Sequence, residues 1–262
     1  MRTALLVALL LLIGFGTQIV CAQDALSAKL LAQGGIKVMA GDKVMATLSL
    51  NAHGPAWKHA DQPAATAIIK DAETGPAKTV EGSLLVPDTD GGAVQFVETV
   101  TPAEKGFTVA YSLGYTKAMT LNGLQVSLLL PADVFAGNAV VLYAPGEKPA
   151  EGEAAADKAT EVPLPEKLDW EKWQLATGQA SKIEIAQGTD NAITIAPKLP
   201  EPKEGAKVAL TRFVVQDLRK WDQNVFEVRL ILIMDDKCKQ VSAEDKANIE
   251  LSITFARPLQ WQ

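Results

Sequence analysis

Both histidines of this 262-residue chain fall in one short segment, Ala52-His53-Gly54-Pro55-Ala56-Trp57-Lys58-His59-Ala60-Asp61-Gln62-Pro63. Two imidazoles that titrate near neutrality, a carboxylate and an indole could exchange protons, ligate a metal, or stack a ring on a sugar face while polar groups take its hydroxyls. Two His and one Asp fall short of a secure zinc set, and no helical spacing converges them, so no metal and no cofactor are expected. Gly54, Pro55 and Pro63 place the segment in a loop after a strand. Trp57, His53 and His59 are therefore candidate ligand contacts. The competing expectation is a surface loop with Trp57 tucked over the sheet edge.

A second set of rings is Trp170 and Trp173 in Leu168-Asp169-Trp170-Glu171-Lys172-Trp173. Exposed indoles beside carboxylates suit a pyranose, and the same rings could instead pin the returning chain onto the core. Asp217 and Arg219 share a side of an extended chain and are expected to form a structural ion pair. Asp88 and Asp90 with Gly91-Gly92 read as a hairpin turn, because two carboxylates do not complete a calcium loop. Asp235 and Asp236 point to opposite faces of a strand and make poor acid/base partners. The chain has no Gly-x-Ser-x-Gly elbow, phosphate loop or dinucleotide fingerprint, and no catalytic residue is nominated.

The elements that would position these residues are strands. Val44, Ala46, Leu48 and Leu50 alternate with Lys43, Met45, Thr47 and Ser49. Similar rows run through Phe107–Tyr115, Leu124–Leu130, Phe226–Met234 and Ile249–Phe255, and shorter ones bring the total to about thirteen. Gly41-Asp42, Asp88–Gly92, Asn122-Gly123, Gly137-Asn138 and Gly188–Asn191 read as turns between them. Helix is expected at Asp24–Gln33 and as one capped turn at Ser242–Asp245. The pattern predicts an all-β chain, a large antiparallel β-sandwich with little helix.

Residues 1–22 have the layout of a secretory signal: Arg2, an apolar run from Ala4 to Phe15, and Val20-Cys21-Ala22 before the cut. Cleavage leaves Cys238 as the lone cysteine and no intramolecular disulfide, so the core alone must hold the fold. The expected mature organisation is a first β half over 23–144, a flexible acidic Ala/Pro-rich loop or linker over 145–168, and a second β half over 169–262 in the same sandwich. The net charge of −6 argues against a nucleic-acid partner, and no membrane span is expected after cleavage. The oligomeric state is not legible. The expected location is the periplasm or the exterior.

Three stretches carry a resemblance: Leu121–Pro131 followed by Phe135-Ala136-Gly137, Val94–Val100 leading to Phe107–Tyr111, and Val215–Trp221 followed by Phe226–Arg229. Together they resemble uncharacterised exported bacterial β-sandwich proteins similar to the supersandwich domains of the galactose-mutarotase-like superfamily. The resemblance implies one large sandwich and a role in handling polysaccharide or glycan. It transfers no catalytic residue: mutarotases use a His pair and a Glu on the concave sheet, whereas His53 and His59 lie in one loop-like segment. Three functions follow as expectations. The first is a secreted non-catalytic carbohydrate-binding or accessory protein. The second is a carbohydrate-active enzyme (epimerase, lyase or glycosidase) working through His53 and His59. The third is a structural envelope protein without a small ligand.

Overall fold

A computed structural model describes residues 25–71, 76–144, 158–198 and 212–262. In chain order its strands are β1 (Leu26–Leu30), β2 (Ile36–Ala40), β3 (Lys43–His53), β4 (His59–Asp61), β5 (Thr66–Asp71), β6 (Lys78–Leu85), β7 (Ala93–Ala103), β8 (Gly106–Tyr115) and β9 (Met119–Pro131). A short α-helix, α1 (Ala132–Phe135), leads to β10 (Ala139–Ala144), β11 (Lys158–Pro163), β12 (Gln174–Gln179), β13 (Lys182–Ile185) and β14 (Ile193–Pro197). The last strands are β15 (Arg212–Asp217), β16 (Val225–Val241), β17 (Ala247–Phe255) and β18 (Leu259–Trp261). They form two nine-stranded sheets. The first runs β12-β15-β16-β9-β3-β2-β1-β18, with β4 paired to β3 beside that path; the second runs β11-β10-β13-β14-β17-β8-β7-β6-β5.

Period-2 alternation explains the packing. Leu48 and Leu50 of β3, Val126 and Leu128 of β9, and Phe226, Val228 and Leu230 of β16 all turn to one face. They share a single buried core with Val80, Phe96, Val109, Leu251 and Ile253 of the second sheet. Burying each such side chain is worth about 1.5–3 kcal/mol, and the result is a β-sandwich. Each sheet mixes strands from both ends of the chain: β9 pairs with β16, β8 with β17, and β10 with β13.

The structure corrects several local expectations. Asp24–Gln33 is not helical over its described part. Leu26, Ala28 and Leu30 alternate into the core as β1, which is held between antiparallel β2 and parallel β18. Asn122-Gly123 is not a turn but lies inside β9, with Gly123 opposite His53 on β3 and Met234 on β16. Residues 158–163, expected within the flexible loop, form β11 along β10, because Val162 reaches the core. Ser242–Asp245 is a turn closed by the Asp245 carboxylate, which accepts from the Ser242 backbone N–H at 2.7 Å. Cys238 sits at positive φ within β16, where the register to β9 slips, and its Sγ donates to Asn122 Oδ1. The signal segment and residues 145–157 lie outside the described residues.

One polar cluster sits inside the apolar core. The edge of β3 is shared: β2 pairs with Lys43–Leu48 and β4 with Asn51–His53. The Leu50 N–H falls in the gap between them. Gln62, which follows β4, turns its side chain inward, and its Oε1 accepts that N–H at 2.8 Å. Gln62 Nε2 donates to Glu98 Oε2 at 2.7 Å, and the same oxygen accepts the Gly35 N–H at 2.7 Å. Glu98 belongs to β7 of the other sheet, so this clasp ties the two layers together. Tyr111 Oη lies 3.0 Å from Glu98 Oε1 and 3.3 Å from Gln62 Oε1. Tyr111 donates its one proton to Glu98 Oε1, the nearer of the two acceptors.

Burial pushes the Glu98 carboxyl above its usual range, against the pull of its three hydrogen bonds. A raised folded pKa gives stability that is complete below the unfolded value near 4.5 and is lost as pH rises through the folded pKa. The amide of Glu98→Gln mimics the protonated acid. Wild type and variant are therefore expected to match at low pH. Above pH 4.5 the wild type falls behind, by about 1.4 kcal/mol per pH unit until the folded carboxyl ionises. Denaturant titrations from pH 4 to 8 read this directly, and a variant equally destabilised at every pH would place a carboxylate in the clasp.

Candidate functional site

His53 ends β3, and the chain then makes a tight loop closed by the Gly54 N–H donating to Lys58 O at 2.9 Å. β4 returns beside β3 and sets His59 opposite His53, with ring centroids 6.0 Å apart. Ala56 and Trp57 both take left-handed backbone conformations, φ 57° and 60°. Each costs a non-glycine residue roughly 1–2 kcal/mol, strain of the kind that gathers where a side chain must be aimed. The Trp57 indole ends up 39% exposed and edge-on to His53 at 5.5 Å. His59 Nε2 lies 3.8 Å from Asp61 Oδ2, and the Lys58 ammonium pairs with Asp88 at 2.8 Å.

His53 also belongs to a larger surface. Over Thr47–His53 of β3, Gly123–Leu129 of β9 and Val225–Ile231 of β16, the odd-numbered residues turn away from the hydrophobic core. Ser49 pairs with Ser127 and Asn51 with Gln125 across β3 and β9. Ser127 faces Arg229 on β16, and Glu227 faces Gln216 on β15. Ser49, Asn51, His53, Gln125, Ser127, Glu227 and Gln216 are all buried despite facing away from the core. Glu227 is fully engaged: Ser127 Oγ donates to Oε1 and Arg229 Nε to Oε2, each at 2.6 Å. With its amide nitrogen turned to the acceptors, Asn51 donates to Asp61 Oδ1 at 2.9 Å, linking the face to β4.

Three buried atoms on this face have no hydrogen-bond partner: His53 Nδ1 and Gln125 Nε2, which are neighbours, and Gln216 Oε1, which lies three strands from His53 on β15. Leaving such a group unpaired costs about 1–3 kcal/mol, so the neighbouring His53 and Gln125 atoms stand out on this face. His53 Nδ1 and Gln125 Oε1 converge over Gly123, 3.1 and 3.3 Å from where a Cβ would stand, so the glycine keeps this space open. Burial first, and then the Arg229 and His59 charges, hold the His53 pKa down to about 4, against the opposing pull of the nearby Gln125 side chain. His53 is neutral at pH 7.

The structure thus brings His53, His59 and Trp57 together and joins to them a polar face that sequence reasoning did not nominate. Trp170 and Trp173 lie across the sheet from His53, at the end where Gln216 pairs with Gln174, the residue after Trp173. Trp173 directly precedes β12, which β15, β16 and β9 separate from β3, roughly 19 Å across four strand spacings. It packs edge-on against Trp221 at 4.8 Å, with Lys220 Nζ 4.7 Å from its ring centroid. Trp170 is 61% exposed, in a turn where Asp169 Oδ1 accepts the Glu171 N–H. Asp217 and Arg219 form the expected ion pair, at 2.6 Å. Asp88–Gly92 is the turn that joins β6 to β7. Among the described residues, no three His, Cys, Asp or Glu gather in a way that could hold a metal ion.

No family model matches the chain, and no curated protein matches it. Solved structures similar to it include a protein assigned as an aldose 1-epimerase from Escherichia coli K12, with TM-score 0.45 and 9% identity over 87% of this chain and 98% of that one. The 4-alpha-glucanotransferase of Thermococcus litoralis is similar at TM-score 0.41 and 9% identity over 82% of this chain. The alpha-galactosidase of Lactobacillus brevis is similar at TM-score 0.47 and 12% identity over 83% of this chain. The chain spans 28% of each of the latter two.

Proposed function

We propose that the outward polar face of the first sheet binds a neutral polyhydroxylated ligand, a glycan, with Trp57 and His59 at its rim. The observation that carries this reading is the adjacent pair of buried partnerless atoms, His53 Nδ1 and Gln125 Nε2. Gln125 Nε2 can only donate, Gln216 Oε1 can only accept, and the neutral imidazole of His53 can do either at Nδ1, according to its tautomer. Sugar hydroxyls both donate and accept, so one ligand type answers both His53 and Gln125, and an extended one could also reach Gln216. Charge argues for a neutral ligand: Arg229 and Glu227 neutralise each other, and His53 is uncharged. The Trp57 ring supplies the flat apolar partner that a pyranose face requires.

Binding without turnover is favoured over catalysis. An imidazole held near pKa 4 is a weak base at neutral pH, and both oxygens of Glu227 are already bonded, so the face lacks an acid/base pair. This is a binding or accessory protein, exported through its first 22 residues to work in the periplasm or outside the cell. Secreted material whose N-terminal sequence starts at Gln23 tests the export.

Ligand class is tested by mixing residues 23–262 with soluble polysaccharides and recording melting temperature and released sugar together. A thermal shift without product is expected. Trp57→Ala, in a chain that stays folded, should weaken affinity roughly tenfold, about 1.4 kcal/mol. Affinity should hold from pH 8 to 5 and fall near pH 4 as His53 gains a proton. It should change little between low and high salt, because no free charge is being matched. Released sugar would overturn the non-catalytic reading, and an affinity untouched by Trp57→Ala would remove that residue from the site.

A further inference from the structure

The rim of the site hangs on very little. β4 has three residues, pairs with β3 over Asn51–Asp61, Ala52–Ala60 and His53–His59, and lies off the main strand path of its sheet. A strand this short has marginal stability of its own. The loop before it contains the two left-handed residues, Ala56 and Trp57. Something outside the loop must hold it. The Lys58–Asp88 pair is exposed on both partners, and such pairs contribute little. Gln62 is different. It follows Asp61 directly, is buried, and its amide bonds at once to the backbone of β3 and to Glu98 of the opposite sheet. An amide removed from water must keep its bonds, so its position is not negotiable.

We propose that Gln62, clamped by Glu98, is the positioning residue for the site loop, setting Trp57, His59 and Asp61 against His53. The inference deepens the ligand-binding reading and rests on it for affinity, but not for the geometry of the loop. It assigns the buried clasp a role besides joining the layers. Asp61 is where the two meet: its backbone leads into Gln62, and its carboxylate receives the Asn51 amide from the polar face. The groups packed on the clasp are the Gly35 and Leu50 backbone and Tyr111, the titratable side chain among them. The charged groups acting on His53 are Arg229 and His59.

The chain has two histidines, so its imidazole resonances form two resolvable sets that report on both sides of the loop. Gln62→Met keeps the bulk of the side chain and removes the amide. In this variant the loop lifts, water reaches His53, and its titration midpoint should climb from about 4 by at least one unit toward 6.5. The His59 resonances should move as well, and affinity for a glycan that shifts the parent chain should fall roughly tenfold. Glu98→Gln keeps an acceptor for Gly35 and Gln62 and a donor for Tyr111, so the His53 midpoint should stay at the parent value. Gln62→Asn withdraws the amide by one methylene and serves the same purpose if the Met variant does not fold. A clasp that only holds the layers together would lower the melting temperature without moving His53. A folded Gln62→Met or Gln62→Asn chain whose histidines titrate like the parent would overturn the proposal. Failure of every glycan to bind the parent would strike the binding reading instead, and the histidine titration would still decide the clasp.

Discussion

Asp217→Ala is expected to cost about 1.5–3 kcal/mol of folding stability, because it removes the buried carboxylate's charge-assisted hydrogen bonds to a part-buried guanidinium. Asp217 is buried at the end of β15. Its Oδ1 accepts Arg219 Nε at 2.9 Å and the Arg219 N–H at 3.1 Å, and its Oδ2 accepts Nη2 at 2.6 Å. That fork raises the Arg219 pKa above its ordinary value. The guanidinium, its side chain 16% exposed, stacks 4.8 Å from the Phe226 ring centroid and donates onward to Pro165 O and Glu166 O. Without the carboxylate, Arg219 keeps two carbonyls and no opposite charge, and the 3₁₀ turn at Leu218–Trp221 loses its cap. Lys70–Glu81 is the control, with the same 2.6 Å separation and both partners half exposed. Glu81→Ala should cost under about 1 kcal/mol. Denaturant midpoints of the two variants compare like distances in unlike surroundings, and equal losses would mean that burial does not set the value of the pair.

The parts of the fold legible in the sequence are those where each residue reports its own environment. Leu48, Leu50, Val126, Leu128 and Val228 mark their faces by alternation, wherever their partners lie. What the sequence concealed depends on distant chain. β1 has helix-tolerant residues, Leu, Ser, Ala and Lys, and becomes a strand because β18, at the far terminus, lies alongside it. β4 and β18 have three residues each, too few to show a period. Asn122-Gly123 has hairpin chemistry, yet β3 and β16 pair straight through it, and the glycine is there to leave room for the His53 ring.

The site divides the same way. His53, Trp57 and His59 are close in sequence, and a short return of the chain brings them together. Gln125, Ser127, Glu227 and Arg229 read as the wet side of ordinary strands. Their meeting depends on the register of β9 against β16, which places Ser127 on a carboxylate 100 residues away. A trace was present in the alternation itself: polar outward residues recur along strands flanked on both sides, where an outward face can be covered. Trp173 shows the opposite lesson, since its partner Trp221 was in view and the two rings pack on each other.

Gly34→Ala is expected to cost about 4 kcal/mol, and its comparison with Gly91→Ala isolates what the clasp contributes. The two glycines have nearly the same backbone, φ +82° and +76°, so an added methyl meets the same left-handed penalty of roughly 1–2 kcal/mol at both. Their surroundings differ. A Cβ on Gly91 meets nothing within 4 Å, whereas one on Gly34 would stand 2.2 Å from both Glu98 Oε2 and Gln62 Nε2. Those atoms cannot retreat as a surface side chain would, because the carboxyl is also held by Gly35 and Tyr111 and the amide by Leu50. The methyl must part the pair, and each buried group left unpaired adds about 1–3 kcal/mol. Gly91→Ala should therefore lose only the backbone term, and Gly34→Ala should lose that term plus the broken clasp. If denaturation gives the two variants equal losses, the methyl is accommodated, and the contact among Gly34, Gln62 and Glu98 is looser than its geometry implies. If Gly34→Ala loses the larger amount, adding Glu98→Ala to it should cost less than Glu98→Ala does alone, because the double variant removes an interaction the methyl has already broken.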